Sequence, residues 1–290
     1  MNFLSWSKAI NENKDLIVLF MTTSWCEFCE EQEKELNGLE IEDVAFVKED
    51  ADERLDLAVR YTPQIYPSIS LIANNAVIGG SYGLVKREKI SEMIGEALKL
   101  IKGQGKIVTP PPISKKHDKF TPTYAFKHIL RTCEGYFDWK EGGFEKEPKH
   151  VSPEVLRLFL EIEDYYHKAM VEVTLDSAIE FLWDDGFYLY SKSIDWKDPY
   201  KAKLLDYNAE MIRTLIKAYN VLRSDVYLDY AIKTAEWLLH KRNDKNGFFM
   251  NSEFLGREDK RSFLNVNANV GIALLEVYNV TKDDKFLDAV

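Results

Sequence analysis

Cys26 and Cys29, separated by two residues, are the residues of this chain whose type and spacing most directly indicate chemistry. They lie in TTSWCEFCEEQEKEL (residues 22–36), after an apolar run and at the start of a predicted helix. A helix N-terminus stabilises a thiolate, and a second thiol one turn away can resolve a mixed disulfide. The spacing therefore favours a redox dithiol, with an inert buried pair and half of a zinc site as alternatives.

The other possible metal ligands are scattered along the chain. A zinc site needs four ligands, usually from a second Cys pair or a His pair. Cys133 stands alone, and no ligand spacing connects the five histidines, which are His117, His128, His150, His167 and His240. Three cysteines cannot build a disulfide framework. The motifs therefore imply neither a metal nor another cofactor.

Length and composition limit the class of protein. A chain of 290 residues suggests two domains, and a net charge of −10 argues against nucleic acid or anionic lipid as a partner. No apolar run approaches the roughly 20 residues of a membrane span. The first residues, MNFLSWSKAINENKDL, lack the pattern of a secretory signal. We expect a soluble, cytoplasmic protein.

The first hundred residues alternate predicted strands and helices. Strands are predicted over 15–23, 44–50, 67–73 and 76–80, and helices over 26–36, 51–61 and 85–102. This βαβ–ββα order predicts an α/β domain over residues 1–104. Three consecutive prolines follow, which predict an extended linker over 105–118, before an all-α domain over 119–290.

The second half contains an internal repeat. Residues 206–231 match 265–290, and the match aligns Asn208 with Asn267, an offset of 59 residues. A glycine followed by aromatic residues recurs in WKEGGF (139–144), WDDGFY (183–188) and DKNGFF (244–249). The pattern predicts stacked α-hairpins that form part of an α/α toroid. We also predict that the helical array leaves an apolar edge on its C-terminal side. We expect a second copy, a further segment or the first domain to cover that edge.

The dithiol region resembles thioredoxin. SWCEFC follows an apolar strand, a lysine lies in the next strand, and YTPQIYPS (61–68) follows. The resemblance implies that Cys26 is the nucleophile, Cys29 the resolving thiol and Trp25 the flanking aromatic residue. It also implies that Pro67, after Tyr66, is a cis-proline at which the substrate docks.

The chain departs from thioredoxin around the dithiol. Glu27 and Phe28 replace the intervening Gly-Pro pair, and Phe20 replaces the buried carboxylate of the central strand. Deprotonation of the resolving thiol then needs Lys48, water or substrate. The glutamates nearby either disfavour the Cys26 thiolate, which makes the dithiol a reductant, or form a solvated helix face: Glu27, Glu30 and Glu31.

The second half resembles the spermatogenesis-associated thioredoxin-domain family. FDWKEGGFEKEPKHVSP (137–153) is similar to its GGFG..PKFP signature, and DGFYLYSKSIDWKDPYKAKLLDYNA (185–209) to its GGFHRYS…W..PHFEKMLYDNA signature. The resemblance implies a thioredoxin-like domain joined to a toroid like those of six-hairpin glycosidases and N-acylglucosamine epimerases. Tyr188 and Leu189 replace the His-Arg of the second signature, and its other His and its Glu are also absent.

Sugar chemistry would need two suitably spaced carboxylates. The candidates are Asp184, Asp185, Asp195 and Asp206. Aromatic side chains either line a cleft or pack in the core: Trp139, Phe144, Trp183, Phe187, Tyr188, Tyr190 and Trp196.

Together these features predict a thiol–disulfide oxidoreductase. We expect it to act on protein disulfides, to depend on an upstream thiol reductant, and to recognise clients through its helical domain. A homodimer that covers the apolar edge is a further expectation. The alternatives are a carbohydrate-active or carbohydrate-binding toroid with an accessory thioredoxin domain, and a non-catalytic protein whose dithiol senses redox state.

Overall fold

The computed structural model describes residues 3–12, 14–62, 65–103, 121–144, 147–243 and 245–290. The chain divides into two compact units, Met1–Lys115 and Lys116–Val290, called here the first and the second unit. The predicted linker, residues 105–118, lies outside the described residues.

The first unit has the predicted βαβ–ββα order after a short N-terminal helix. Its elements are α1 (Trp6–Ala9), β1 (Leu16–Thr22), α2 (Cys29–Leu36), β2 (Val44–Asp50), α3 (Leu55–Tyr61), β3 (Ser68–Ala73), β4 (Ala76–Tyr82) and α4 (Arg87–Ile101). The strands form one sheet in the order β2-β1-β3-β4. β1 and β2 are parallel, whereas β3 is antiparallel to both β1 and β4.

The central strand β1 is apolar because both faces of the sheet are covered. Successive side chains of a strand point to opposite faces. Val18 and Phe20 join the core cluster that contains residues of α2 and α4, whereas Leu19 and Met21 join the cluster that contains residues of α1 and α3. The loop after β1 therefore starts from a strand that is held on both sides.

The second unit consists of helices joined by long loops. Its helices are α5 (Pro122–Gly135), α6 (Pro153–Phe159), α7 (Tyr165–Leu182), α8 (Leu205–Leu222), α9 (Asp225–Leu239), α10 (Leu264–Thr281) and α11 (Asp284–Leu287). Within the described ranges, none of the helices of either unit has the length and apolar character of a membrane span.

The prediction that this half contains helices only is wrong in its loops. Short strands occur there: β5 (Trp183–Asp184), β6 (Gly186–Phe187), β7 (Tyr190–Ser191), β8 (Pro199–Tyr200), β9 (Ala202–Leu204), β10 (Ser252–Phe254) and β11 (Arg257–Asp259). β9 pairs with β10, which connects two successive loops. Buried loop backbone needs hydrogen-bond partners, and these strands supply them to each other.

The 59-residue repeat is visible in the backbone. α8 and α10 each have 18 residues. Arg223 and Lys282 follow their last residues in the left-handed conformation, with φ of 60° and 58°. Each donates its N–H to a tyrosine carbonyl one turn back, Tyr219 O or Tyr278 O. The two hairpins therefore repeat in fold as well as in sequence.

The repeat extends to the asparagines near the start of α8 and α10. The Phe187 N–H donates to Asn208 Oδ1 at 2.6 Å, and Asn208 Nδ2 donates to Phe187 O at 3.1 Å. Asn267 holds Phe249 in the same way, at 2.8 and 3.2 Å. Each asparagine thus fixes the preceding Gly-aromatic motif against the helix that follows it.

The predicted apolar edge is confirmed on α10. Leu264 is 88% exposed and Leu275 is 36% exposed. The residues at the same repeat positions on α8 are Leu205 and Ile216, which are 0% and 5% exposed. α8 packs against α6 as well as α10. Among the described residues, α10 packs against α8 but has no contact of that extent with α6. This difference explains why the apolar face of α8 is buried and that of α10 is open.

Candidate functional site

The dithiol lies in the loop between β1 and α2. β1 ends at Thr22 and α2 begins at Cys29, so Cys26 occupies the turn that leads into the helix. The Cys26 N–H donates to Thr23 O at 3.3 Å within that turn. Cys26 and Cys29 are joined by a disulfide. The helix predicted from residue 26 is therefore wrong by three residues at its start.

The two cysteines differ in exposure. Cys29 is 7% exposed and belongs to the core cluster beneath α2, together with Phe20 and Leu36. Cys26 is half-buried and packs against the edge of the same cluster. Cys29 is the more buried of the two, as predicted, whereas Cys26 is only partly exposed. A thiol has to be reached before it can attack another disulfide, so the geometry favours Cys26 as the attacking group.

A second segment contributes Tyr66 and Pro67. The Tyr66–Pro67 peptide is cis, as predicted, and Pro67 is buried. The Tyr66 ring meets the Trp25 ring edge to face, with centroids 5.8 Å apart. The structure therefore brings the residue before Pro67 into contact with the residue before Cys26. The substrate-docking role of Pro67 stays a prediction.

Carboxylates lie close to the Tyr66 phenol. Burial raises the pKa of Tyr66, and the charges of Asp52 and Asp50 raise it further, against a hydrogen bond with Thr62 that lowers it. Asp50 is the residue opposite Thr22 in the parallel pairing of β1 and β2. Asp50 and Asp52 therefore lie at the end of the sheet from which the dithiol loop emerges.

The position of the missing thioredoxin carboxylate is filled by Phe20. This ring is fully buried, and its partner in the β1–β2 register is Lys48. Lys48 Nζ forms an ion pair with Glu33 of α2 at 2.7 Å. Phe20 offers no proton acceptor to Cys29, so the proton has to go to another group, and water or the departing substrate thiolate stays a prediction for that group. A role for Lys48 in this step stays a prediction.

The sequence analysis missed Gln32, which supports the dithiol helix. Its side chain is 0% exposed. Gln32 Nε2 donates to Val85 O at 3.0 Å, and the Val85 N–H donates to Gln32 Oε1 at 2.7 Å. The available signal was its spacing, because Cys29, Gln32 and Leu36 fall on one face of α2.

The second unit buries two lysines of the family signatures. Lys149 is 0% exposed; its Nζ lies 2.6 Å from Asp138 Oδ2 and 5.3 Å from the centroid of the Trp196 ring. Lys203 Nζ contacts the carbonyl oxygen of Asp184 and lies over the Tyr188 ring at 5.1 Å. Lys203 Nζ also lies 3.3 Å from Asp184 Oδ2. Each ammonium group therefore lies between a carboxylate and an aromatic ring, an arrangement that holds the fold together.

The four candidate aspartates have different environments. The Tyr188 hydroxyl and Lys203 lower the pKa of Asp184, against a burial effect that raises it. Asp185 has a φ of 59° in the turn between β5 and β6. The Ser193 hydroxyl and the Lys197 N–H lower the pKa of Asp195 to about 2. Burial raises the pKa of Asp206, against a hydrogen bond from the Tyr207 N–H. Among Asp184, Asp195 and Asp206, it is Asp206 whose pKa is shifted in the direction that a general acid needs.

Core packing accounts for most of the aromatic candidates. Phe187 and Trp196 are 0% exposed, and three others pack against the same cluster: Phe144, Trp183 and Tyr188. Tyr190 instead belongs to a row of four rings with His150, Tyr200 and Phe254. Successive centroids in this row lie 4.9, 4.7 and 5.2 Å apart.

Helices α6, α8 and α10 line a cavity of about 640 Å³. Two ion pairs lie among its charged side chains. Arg213 Nε lies 2.9 Å from Glu276, and Lys217 pairs with Glu161. Within the described ranges, no group of three or more His, Cys, Asp or Glu side chains could hold a metal ion.

Comparison with known proteins identifies the family of the N-terminal part and the fold of the helical part. Residues 2–96 match the thioredoxin family, so a thioredoxin domain forms the N-terminal part of the chain. A search of curated proteins found no match.

Two solved structures of cellobiose 2-epimerases resemble the chain. The enzyme from Bacillus thermoamylovorans is 18% identical, with a TM-score of 0.50, and the match covers 57% of this chain and 50% of that enzyme. The enzyme from Spirochaeta thermophila is 18% identical, with a TM-score of 0.50 and coverage of 57% and 49%. The chain thus spans about half the length of these enzymes. The similarity shows the fold: the helical part resembles an α/α toroid, and the two-part architecture suggested by the family resemblance is present.

Proposed function

We propose that this protein is a thiol–disulfide oxidoreductase that reduces or exchanges disulfides on protein clients. The observation that carries the proposal is the Cys26–Cys29 disulfide, which joins a half-buried sulfur to a buried one in a thioredoxin domain. The second unit would recognise the client. A cytoplasmic location belongs to the same proposal, and subcellular fractionation tests it.

The reaction transfers two electrons. In the reduced protein the Cys26 thiolate attacks one sulfur of the client disulfide, a Cys26–client disulfide forms, and the first client thiolate leaves and takes up a proton. Cys29 then loses its proton and attacks Cys26 Sγ, which restores the Cys26–Cys29 disulfide and releases the second client thiolate. A thiol reductant, itself oxidised to a disulfide, returns the protein to the dithiol state.

An insulin-reduction assay with dithiothreitol tests the proposal. We expect Cys26→Ser to lower the rate to the background of dithiothreitol alone, and Cys29→Ser to accumulate a mixed disulfide. Cys133→Ser is the matched control, because it makes the same change in the second unit and should leave the rate unchanged. Full activity in Cys26→Ser would rule the proposal out.

Carbohydrate binding by the second unit is the second candidate. It is supported by the similarity to cellobiose 2-epimerases and by the row of rings that contains Tyr190, because aromatic faces can stack on sugar rings. Calorimetric titration with cellobiose tests it. Binding should be lost in Tyr190→Ala and retained in Tyr165→Ala, since Tyr165 is 84% exposed outside the row. Absence of binding to the wild-type protein rejects cellobiose as the ligand.

Self-association through the exposed face of α10 remains a prediction. Sedimentation over a range of protein concentrations tests it. A change in mass with concentration that Ile272→Glu abolishes would support a homodimer. A strictly monomeric wild-type protein would contradict it.

A further inference from the structure

Large apolar side chains surround the dithiol at the surface. Phe28, between the cysteines, is 43% exposed, and Ile65, two residues before Pro67, is 48% exposed. The rings of Trp25 and Tyr66, which precede Cys26 and Pro67, are in contact. Exposed apolar side chains grouped around a reactive centre mark a contact surface for another molecule.

Carboxylates border this surface on two sides. Residues 22–36, which contain the dithiol, include five glutamates and one lysine. Glu27 and Glu30 are exposed next to Cys26 and Cys29. Residues 49–53 contain four carboxylates and no basic residue, and the parallel register places Asp50 opposite Thr22. Both acidic segments therefore lie at the end of the sheet where the dithiol emerges.

The basic side chains nearby are paired with carboxylates. Lys48 pairs with Glu33 at 2.7 Å, Arg54 with Asp56 at 2.9 Å, and Lys86 with Glu35 at 2.9 Å. These cations neutralise part of the two acidic segments, because Glu33 and Glu35 belong to the first of them and Arg54 also approaches Glu49 of the second. The two segments together hold nine carboxylates against Lys34 and these three cations, so an excess of carboxylates remains and the potential around the dithiol is negative. A docked segment with positive charge would be attracted and one with negative charge repelled.

We propose that the dithiol surface selects client disulfides whose cysteines are flanked by lysine or arginine. The inference rests on the proposed function, because it names the client class of the same site. The exposed rings provide sequence-tolerant apolar contact, and the carboxylates determine which disulfides approach productively.

The test uses three synthetic peptide disulfides of equal length, flanked by Lys-Arg, by Glu-Glu or by Ser-Ser. Reduction by the full-length protein with dithiothreitol is followed by chromatography. At about 20 mM salt we expect kcat/KM for the Lys-Arg peptide to exceed that for the Glu-Glu peptide by about 10-fold or more. The difference should largely disappear at about 0.5 M salt, because screening shortens the range of the attraction.

A pair of double variants separates docking from thiol reactivity. Glu27→Gln with Glu30→Gln removes two exposed carboxylates beside the dithiol, and the ratio between the two charged peptides should fall. The ratio cancels any change in Cys26 reactivity, which affects all three peptides alike. Glu40→Gln with Glu42→Gln is the matched control. These exposed residues precede β2, about 20 Å from the dithiol end of the strand, and the ratio should not change.

The outcomes distinguish the two proposals. Reduction of all three peptides at equal rates, independent of salt, would overturn the client preference and leave the oxidoreductase function standing. An equal fall in the ratio for both double variants would also overturn it. Failure to reduce any peptide, including the Ser-Ser peptide, would reject the proposed function and the client preference together.

Discussion

The motif residues of the two units differ in exposure: the dithiol of the first unit reaches the surface, whereas polar motif residues of the second unit are buried. Cys26 is half-buried at the surface, and only its partner Cys29 is embedded in the core. Lys149 and Asn208 are 0% exposed, and each is held by hydrogen bonds or ion pairs within the fold. A motif residue can act on another molecule in the first case but not in the second.

The comparison shows that a shared motif is not sufficient evidence for shared chemistry. The segments of the second unit that resemble family signatures keep residues that hold the loops, such as Lys149 and Asn208, and lack the His, Arg and Glu of those signatures. Buried polar groups contribute to stability chiefly because removal of one partner leaves the other unsatisfied. Substitutions in the second unit should therefore change stability, whereas substitution of Cys26 should change activity.

The largest effect is expected for Asp138→Ala. The change leaves the Lys149 ammonium group buried, with the Trp196 ring as its remaining neighbour in the cluster. An uncompensated buried charge costs about 3–5 kcal/mol of the free energy of unfolding. Urea unfolding followed by circular dichroism measures it. Disulfide reduction by the folded variant should be unchanged, and a large loss of reduction without a loss of stability would contradict the comparison.

A double variant is the control for this prediction. Asp138→Ala with Lys149→Met removes both charges and should recover part of the lost stability, because no unpaired charge remains. If the stability loss of the double variant equalled the sum of the two single losses, the broken ion pair would not be the cause of the loss in Asp138→Ala.

The next effect contrasts two leucines at the same repeat position. Leu205 is 0% exposed and Leu264 is 88% exposed. Leu205→Ala should lower the free energy of unfolding by about 2–5 kcal/mol, because it leaves a cavity. Leu264→Ala should change it by less than about 0.5 kcal/mol, as expected for a surface site. Equal losses in denaturant unfolding would show that the α10 face is covered in solution.

A smaller effect is expected for Asn208→Ala. The substitution leaves the N–H and carbonyl of Phe187 without the partner that holds them. The cost of such unsatisfied groups is about 1–3 kcal/mol. Asn267→Ala should cost less, because Asn267 is half-buried and water can replace part of its hydrogen bonding. Unfolding curves of the two variants provide the measurement, and a larger cost at Asn267 would contradict the argument that burial sets the difference.

The sequence predicted elements well where one segment contains the whole signal. β2 was predicted at its observed bounds, because its apolar run over 44–47 marks the buried part of a strand and the charged residues 48–50 follow directly. The role of Gln32 was not predictable, since its partner Val85 lies 53 residues away. The short strands of the second unit were missed for the same reason: β9 and β10 each need the other loop as a partner.

The candidate site also has parts that local sequence predicts and parts that it does not. The dithiol and the cis Tyr66–Pro67 peptide follow from local motifs that resemble thioredoxin. The pairing of Lys48 with Glu33 and the position of the acidic segments depend on the register of β1 and β2. Electrostatics at a site are set by groups that are distant in sequence, and periodicity does not encode them.

The smallest effect concerns Asp195 and Asp206, which sequence analysis treated as equivalent candidates. Hydrogen bonds from the Ser193 hydroxyl and the Lys197 N–H hold the pKa of Asp195 at about 2, whereas burial raises that of Asp206. An Asp with a lowered pKa stabilises the fold above its unfolded value of about 3.9, and this contribution is lost as the pH falls through the folded pKa. Titration by carboxyl NMR should give two separate midpoints, with Asp195 the lower.

Ser193→Ala should raise the midpoint of Asp195, because it removes the largest of the lowering effects, and leave that of Asp206 unchanged. This result would show that Asp195 of the wild-type protein is an ionised structural carboxylate near neutral pH and cannot donate a proton. Asp206 would remain as the candidate acid. If the two carboxylates titrated together, the structural difference between Asp195, held by hydrogen bonds, and Asp206, shifted by burial, would be contradicted.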